Sequence, residues 1–268
     1  MSVVSFPKIT LIIACKNAAD KLPISLESII KQSYPSKEIV VIDGCSTDNT
    51  AEILTHYQSH IDTVICESDS GISEAFNKGV AIATGEYLYF LGAGDTFLNP
   101  QSLMLLMEKV GSPLPDLIAG KVIMANADHS VKTIAPAVWP SAPQRVLLYK
   151  MIYPHQGLLM HRRYFERYGY FDTRLKYAMD YELLLRSYFD PIHVYLSDVQ
   201  VAYWQDDGVG CGNIPAVLKE YDCIKRWHHL NHPIFLTGLH YWNLIKYYLK
   251  RIMSHNRRKT LFNPSSGF

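Results

Sequence analysis

Short apolar segments alternate with amphipathic ones along the N-terminal part of the chain, and this alternation restricts the fold more than any other feature. Runs rich in β-branched residues predict buried strands at residues 9–14, 38–42, 63–66 and 86–91. Helical periodicity predicts helices at 22–32, from a cap at 46–48 to about 60, and at 72–83. Because strands that alternate with helices form parallel sheets, the predicted fold class is α/β, with a mostly parallel central sheet flanked by helices.

The pattern changes after about residue 111. A hairpin is predicted at 117–125 and 131–134, further strands at 194–196 and 199–204, and helices at 162–168, 179–188, 214–229 and about 239–255. We therefore divide the chain into an alternating half (1–110), a second half of the same domain (111–212) and a C-terminal helical extension (213–268).

Composition excludes several classes of protein. The 268 residues are 48% hydrophobic and 19% charged, as expected of a globular chain, and the net charge of +1 gives no sign of a nucleic-acid partner. The five cysteines are widely spaced and include no CxxC pair, which favours reduced thiols in a cytosol. The N-terminus lacks signal-peptide features and no long apolar run spans a bilayer, so a cytoplasmic location is expected.

Acidic and small polar residues follow the predicted strands. Gly92-Ala93-Gly94-Asp95 ends the fourth strand, where open α/β sheets bind ligands, and the Asp95 carboxylate can hold a divalent cation against phosphate oxygens. The same residue types also suit a plain turn and helix cap. Lys16 and Asn17, Asp43, and Asp69 follow the first, second and third strands, an arrangement that suits a nucleotide. Asp48 is expected mainly to cap the following helix.

Two common nucleotide motifs are absent from the sequence. No GxGxxG follows the first predicted strand, which disfavours a dinucleotide-binding dehydrogenase, and no GxxxxGK[ST] is present, which excludes a P-loop enzyme.

The C-terminal segment is basic and amphipathic. No acidic residue follows Asp222, and the predicted helix near 239–255 combines an apolar face with aromatic and lysine side chains. This pattern is typical of a helix lying on an anionic membrane surface. The alternative is an ordinary amphipathic helix packed on the core or in a homodimer.

Several runs of the chain resemble motifs of glycosyltransferase family 2. They lie at residues 9–17, 41–50, 68–72, 75–79, 83–87, 154–156, 169–172 and 178–183. The resemblance implies the GT-A fold and transfer of a sugar, with inversion, from a nucleotide diphosphate donor. The Gln-x-x-Arg-Trp motif of processive synthases is missing, so a single, non-processive transfer is implied.

The resemblance also implies roles for individual residues. Asp43 matches an acid that contacts the nucleobase, Asp69 a nucleoside-side position, and Asp95 the final acid of a DXD-type motif that binds Mg²⁺ or Mn²⁺ on the diphosphate. The commoner family pattern has a further acid at one of the positions where this chain has Ala93 and Gly94. The resemblance therefore leaves the single carboxylate of Asp95 to bind the metal. The remaining donor-binding residues implied by the matching motifs are Ala14, Lys16, Asn17, Lys78 and Gly94.

Asp180 matches the catalytic base of the family. A sugar hydroxyl is a poor nucleophile that needs such a base, and at the start of a predicted helix the dipole would keep Asp180 ionised and weakly basic. Plain N-capping is the alternative role for Asp180, and Glu182 is the rival base. His155 and Gln156 lie in a segment that resembles an acceptor-side loop.

These observations predict a glycosyltransferase that uses an NDP-sugar, with UDP-sugars favoured. The implied acceptor is a saccharide or lipid-linked glycan in surface polysaccharide biosynthesis, such as lipopolysaccharide, capsule or exopolysaccharide, at the inner face of the cell membrane. One alternative is a nucleotidyltransferase, although the expected Gly-rich basic loop after the first strand is missing. The other is a non-catalytic, membrane-associated scaffold that retains nucleotide affinity.

Overall fold

The computed structural model describes residues 6–125, 131–205, 213–229, 237–238 and 241–249. The chain divides into two compact units, Met1–Asp207 and Gly208–Phe268. The division of the first unit at residue 110 concerns function and stays a prediction. No described helix is long and apolar enough to cross a membrane.

The described part of the first unit contains one sheet and helices on its faces. The strands are β1 (Ile9–Cys15), β2 (Lys37–Asp43), β3 (Thr63–Cys66), β4 (Tyr87–Gly92), β5 (Thr96–Phe97), β6 (Leu117–Ala125), β7 (Val131–Ala135), β8 (Leu158–His161) and β9 (Val194–Gln205). The helices are α1 (Leu22–Ile30), α2 (Thr50–Tyr57), α3 (Ile72–Ile82), α4 (Ser102–Met107), α5 (Pro143–Leu147), α6 (Arg162–Tyr168) and α7 (Met179–Arg186). The second unit contributes α8 (Ile214–Trp227) and the helical residues 241–249.

The strand order predicts a ligand-binding crevice beside β1. Among the described residues the order is β3-β2-β1-β4-β8-β6-β9-β5, with β7 paired to β6. Strands β3, β2, β1 and β4 are parallel, whereas β8 runs antiparallel to both β4 and β6. The chain moves outward from β1 to β3 and then returns to the other side of β1 with β4. The loops after β1 and β4 therefore diverge, which is the usual ligand-binding position in such sheets.

The core explains why the N-terminal half folds as predicted. All seven residues of β1 are buried, as expected for a parallel strand covered on both faces. Gly79 in α3 faces Ile12, and a Cβ at that position would overlap the Ile12 side chain. The missing side chain therefore lets α3 approach the sheet closely.

The second half differs from the prediction in detail. The predicted hairpin forms, because β6 and β7 pair antiparallel, although its turn at 126–130 lies outside the described residues. Strand β9 is continuous where two strands were predicted, and its pairing with β6 shifts register twice. Strands β5 and β8 and helix α5 were not predicted. The residues of β8, Leu158-Leu159-Met160-His161, have no β-branched member, so only the tertiary pairing with β4 and β6 makes them a strand.

Glu38 lies near the amino-terminal ends of the parallel strands, at the end of the sheet opposite the loops that follow them, and it connects several residues there. This buried carboxylate accepts hydrogen bonds from the Thr10 hydroxyl, from the Thr84 backbone N–H at 2.8 Å and from Lys8 Nζ at 3.3 Å. Burial by itself raises the pKa of the Glu38 carboxyl, but these hydrogen bonds outweigh it and lower the pKa from 4.5 to about 2.

Replacing Glu38 with Gln should lower the free energy of unfolding at pH 7 by about 2 kcal/mol, because hydrogen bonds to a charged acceptor are lost. The folded-state pKa is lowered, so the stabilisation is complete above pH 4.5 and disappears as pH falls from 4.5 towards 2. Urea unfolding of both proteins across this range measures the effect. The exposed Glu27, paired with Lys31 at 2.9 Å, offers a control, and Glu27→Gln should change stability little.

Candidate active site

The loops after β1 and β2 are bound to each other. The Asn17 backbone N–H donates to Ser46 Oγ at 2.7 Å, and Asn17 Oδ1 accepts from the Thr47 N–H at 2.8 Å. Asn17 adopts a φ of 49°, a left-handed conformation that asparagine tolerates. Asp48 supports the same loops by accepting from the backbone N–H groups of Ala19 at 3.1 Å and Thr50 at 3.0 Å. Its role is local and structural, with Asn49 at the cap position of α2.

Asp43 lies buried at the end of β2. Its carboxylate accepts from the Ser46 N–H at 3.1 Å, from Cys66 Sγ at 3.3 Å and from Cys15 Sγ at 3.8 Å. Burial, reinforced by Asp43, raises the pKa of the Cys15 thiol to about 12, and the hydrogen bond to Asp43 raises the pKa of Cys66 to about 11. Both thiols are therefore protonated donors at neutral pH, and they orient the carboxylate.

The loop after β3 meets the loops after β1 and β2. A Cβ on Gly44 would lie 2.5 Å from Asp69 Oδ2 and 3.2 Å from Lys16 Cδ, so the Asp69 and Lys16 side chains converge over this glycine. Asp69 Oδ1 also accepts from the Gly71 N–H at 3.1 Å. Lys78 supports this loop from α3, since Nζ donates to the Ser68 carbonyl at 2.7 Å and pairs with Glu67 at 3.3 Å.

Asp95 follows β4 on the other side of the crevice. Its Oδ2 accepts from the Gly92 N–H at 2.8 Å, and its Oδ1 lies 3.4 Å from Gln156 Nε2. The turn is fixed at Gly94, which has a φ of 104° and donates its N–H to Ser25 Oγ at 2.8 Å. The Ala14 carbonyl at the end of β1 accepts from the Ala93 N–H at 3.3 Å, which ties the turn to the neighbouring strand.

The residues around Asp95 fit one kind of metal binding. No group of three or more His, Cys, Asp or Glu side chains within the described ranges is arranged to hold a metal ion by itself. A single carboxylate together with diphosphate oxygens and water is, however, a common environment for Mg²⁺. Asp95 therefore fits a cation that arrives with a nucleotide diphosphate.

Asp180 is the second residue of α7, and Ala178 occupies the N-cap. Its carboxylate is 18% exposed, and Oδ1 accepts from the Tyr181 N–H at 2.7 Å. Burial raises the pKa of Asp180, an effect that His155 reduces in part. The helix start was expected to keep this group weakly basic, but burial outweighs the hydrogen bonds from backbone N–H groups at the helix start and raises the pKa above that of an ordinary aspartate.

His155 connects Asp180 to an aromatic cluster. Its Nδ1 lies 3.8 Å from Asp180 Oδ2, and its ring stacks on Phe76 with 5.5 Å between centroids. We call Phe76, Phe90, Phe165 and Phe171 the phenylalanine cluster; their contacting rings lie 5.0–6.0 Å apart. No local sequence pattern indicates this cluster, because its members come from α3, β4, α6 and the loop before α7.

Helix α3 also fixes the loop that leads to Asp180. Asn77 Nδ2 donates to the Phe171 carbonyl at 2.8 Å and Asn77 Oδ1 accepts from the Phe171 N–H at 2.9 Å. Ser73 Oγ donates to the Leu175 carbonyl at 3.0 Å. Asn77 had no predicted role of its own, although it lies within the family-like run at residues 75–79.

Glu182 has a different environment from Asp180. It is buried and forms an ion pair with Arg186, whose Nη1 also donates to the carbonyls of Tyr168 and Tyr170, each at 2.7 Å. These contacts give Glu182 a role in joining α7 to the end of α6.

The family is decided by a comparison with family models. The model described as glycosyl transferase family 2 matches residues 10–169, a range that contains Asp43, Asp69 and Asp95. The chain belongs to glycosyltransferase family 2. The match ends before Asp180, so the role of that residue depends on the geometry described above.

This family 2 glycosyltransferase has a curated relative and solved structures that resemble it. A PGL/p-HBAD biosynthesis glycosyltransferase of Mycobacterium bovis (strain BCG / Pasteur 1173P2) is 30% identical over 210 residues, covering 76% of this chain and 79% of the relative. S. aureus TarS 1–349 in complex with UDP-GlcNAc matches with a TM-score of 0.64 and 19% identity, over 87% of this chain and 70% of that one. In another crystal structure of S. aureus TarS, the match covers 39% of the TarS chain.

A second structure gives the same fold. The mannosyltransferase PcManGT of Pyrobaculum calidifontis, in complex with GDP-Man and Mn²⁺, matches with a TM-score of 0.62 and 16% identity, over 97% of this chain and 82% of that chain. These similarities confirm the expected GT-A fold of this glycosyltransferase.

Proposed function

We propose that this family 2 glycosyltransferase transfers one sugar, with inversion, from an NDP-sugar to a saccharide or lipid-linked acceptor in surface polysaccharide biosynthesis. The observation that carries the proposal is that the loops with Asn17, Asp43 and Asp69 contact one another after β1, β2 and β3. The turn before Asp95 is hydrogen-bonded to the end of β1, and the adjacent residues Gln156 and His155 lie beside Asp95 and Asp180. TarS binds UDP-GlcNAc and PcManGT binds GDP-Man with Mn²⁺, which supports a nucleotide-sugar donor. The buried carboxylate of Asp43 can accept from a base N–H, and a UDP-sugar, the donor class bound by TarS, is the donor we favour.

Each acid in the crevice has a separate part in donor binding. Asp43, held by two thiols and Ser46, accepts from the base, and Asp69 accepts from a ribose hydroxyl beside Lys16. Asp95 would hold Mg²⁺ or Mn²⁺ together with the diphosphate, and the cation would supply positive charge to the leaving group.

Asp180 acts as the general base. The acceptor oxygen forms a bond to the anomeric carbon as the bond from that carbon to the diphosphate oxygen breaks, and the hydroxyl proton passes to Asp180. A single displacement of this kind inverts the anomeric configuration. The raised pKa of Asp180 strengthens it as a proton acceptor.

Turnover of a panel of UDP- and GDP-sugars, with and without Mn²⁺, tests the function. We expect release of the nucleoside diphosphate and transfer to a glycan acceptor, with the anomeric configuration of the product read by NMR. Retained configuration would contradict the mechanism. Absence of turnover with every donor would favour a nucleotide-binding scaffold. Formation of UTP or GTP from these donors when pyrophosphate is added would favour a nucleotidyltransferase.

We also propose that the C-terminal helix binds an anionic membrane at the inner face of the cell membrane. Along residues 241–249, Tyr241, Trp242, Ile245, Tyr248 and Leu249 are each 49–61% exposed. Lys246 Nζ lies 5.0 Å from the Trp242 ring centroid, and no acidic residue follows Asp222 in the sequence. Exposed aromatic and aliphatic residues beside positive charge suit the interface of an anionic bilayer.

Replacing both Ile245 and Leu249 with Asp should remove most of the binding to vesicles that contain anionic lipid, because two half-exposed apolar side chains become charged. Co-sedimentation with anionic and zwitterionic vesicles measures the loss. Asn243→Asp adds one negative charge to the same helix and serves as the control. Unchanged vesicle binding would contradict membrane contact through this helix. Loss of a dimer in solution instead would show that the helix packs against a second copy of the protein.

A further inference from the structure

Two adjacent side chains contact the two acids that the proposed reaction requires. Gln156 Nε2 lies 3.4 Å from Asp95 Oδ1, and His155 Nδ1 lies 3.8 Å from Asp180 Oδ2. The acids come from different parts of the fold, since Asp95 follows β4 and Asp180 lies in α7. The dipeptide lies next to the end of β4, because the β8 strand that follows it pairs antiparallel with β4.

The dipeptide is held in place by contacts that do not use its side-chain polar atoms. The Tyr89 hydroxyl donates to the Gln156 carbonyl, and the Gly157 N–H donates to the Pro154 carbonyl at 2.9 Å. A Cβ on Gly157 would lie 2.6 Å from the Gly120 carbonyl oxygen, so the backbone here fits tightly against β6. The His155 ring rests on Phe76 of the phenylalanine cluster.

We propose that His155–Gln156 is a positioning bridge, in which Gln156 orients the Asp95 carboxylate towards the donor and His155 orients the Asp180 carboxylate towards the acceptor hydroxyl. The proposal rests on the proposed function, and it replaces the acceptor-side role that the family resemblance implies for both residues. Partners of this kind fix the direction of a ligating or reacting group, and their loss costs about 10–100-fold in metal affinity or activity.

The Gln156 half is tested by calorimetric titration of UDP, with and without Mn²⁺. Gln156→Ala should weaken Mn²⁺-dependent UDP binding by about 10–100-fold and leave metal-free UDP binding unchanged. Gln156→Glu should tighten Mn²⁺ binding in the presence of UDP, because it adds a second carboxylate beside Asp95. The exposed Gln58 supplies a matched control in Gln58→Ala. Unchanged Mn²⁺ dependence in both Gln156 variants would overturn this half.

The His155 half is tested by steady-state kinetics. His155→Phe keeps a ring on Phe76 but removes Nδ1, and it should lower kcat by about 10²-fold with little change in the KM for donor or acceptor. His155→Asn places an amide nitrogen near the position of Nδ1 and should recover part of the lost kcat. His60→Phe, at an exposed site, is the matched control.

A raised acceptor KM with unchanged kcat in His155→Phe would assign His155 to acceptor binding and overturn its half of the proposal. The wild-type protein separates this failure from a failure of the proposed function. If wild-type protein binds UDP with the same affinity with and without Mn²⁺, the donor model itself is wrong, and the role of Gln156 is wrong with it. Thermal unfolding of every variant shows which losses come from misfolding.

Discussion

Asp180→Asn should lower the transfer rate by about 10²–10⁴-fold, because a side-chain amide cannot accept the acceptor's proton. UDP affinity should stay within about twofold of wild type, since the change concerns the acceptor hydroxyl and leaves the donor loops intact. Single-turnover transfer rates together with UDP titration measure both quantities. Weakened UDP binding, or unchanged turnover, would contradict the assignment of Asp180 as the base.

Glu182→Gln is the matched control, since Glu182 lies in the same helix but pairs with Arg186. Its main expected effect is lower stability, because the Arg186 guanidinium loses its charged partner. A larger loss of kcat in Glu182→Gln than in Asp180→Asn would indicate that Glu182, and not Asp180, is the general base.

The pH dependence of kcat follows from the raised pKa of Asp180. The base must be ionised, so activity rises with pH through this pKa and is lost below it. Because burial raises the pKa from its ordinary value of 3.8, the acidic limb should lie above that value. In Asp180→Asn, the residual kcat should no longer fall as the pH decreases through this range.

Asp95→Asn should weaken Mn²⁺-dependent nucleotide binding and lower kcat/KM by about 10²-fold or more, because a bound cation supplies several kcal/mol of charge stabilisation. The amide oxygen can still accept from the Gly92 N–H, so the turn should keep its shape. Titration of UDP with and without Mn²⁺ measures the change in affinity. Equal UDP affinity with and without metal, in both wild type and variant, would contradict the role of Asp95.

A carboxylate outside the crevice supplies the control for Asp95. Asp172 pairs with the exposed Arg174 at 2.6 Å, and Asp172→Asn removes one negative charge without touching the proposed donor site. Its metal-dependent nucleotide binding should equal that of wild type.

The parallel half of the fold could be predicted from sequence because its strands are continuous apolar runs with local helix signals between them. Asp43 and Asp95 stand at strand ends, so their location at the same end of the parallel sheet follows from the sequence. Strand β8 could not be predicted, because its pairing with β4 and β6, and not its local propensity, makes it extended. The contact from Gln156 to Asp95 depends on that pairing, so it could not be predicted from the sequence either.

The electrostatics of Asp180 show a second limit of sequence reasoning. Its place near a helix start is visible in the sequence and favours the ionised form. Its burial depends on tertiary structure: His155, which is 25 residues earlier in the chain, lies 3.8 Å from its carboxylate. Burial raises the pKa of Asp180 by more than His155 and the backbone N–H groups at the helix start lower it, so the direction of the shift could not be predicted from the local sequence.

A crystal structure of the protein with UDP and Mn²⁺ tests the central claim most directly. We expect the uracil beside Asp43, the diphosphate and metal at Asp95, and the Asp180 carboxylate facing the open side of the diphosphate. A diphosphate bound away from Asp95, or an Asp180 carboxylate turned away from the crevice, would contradict the account.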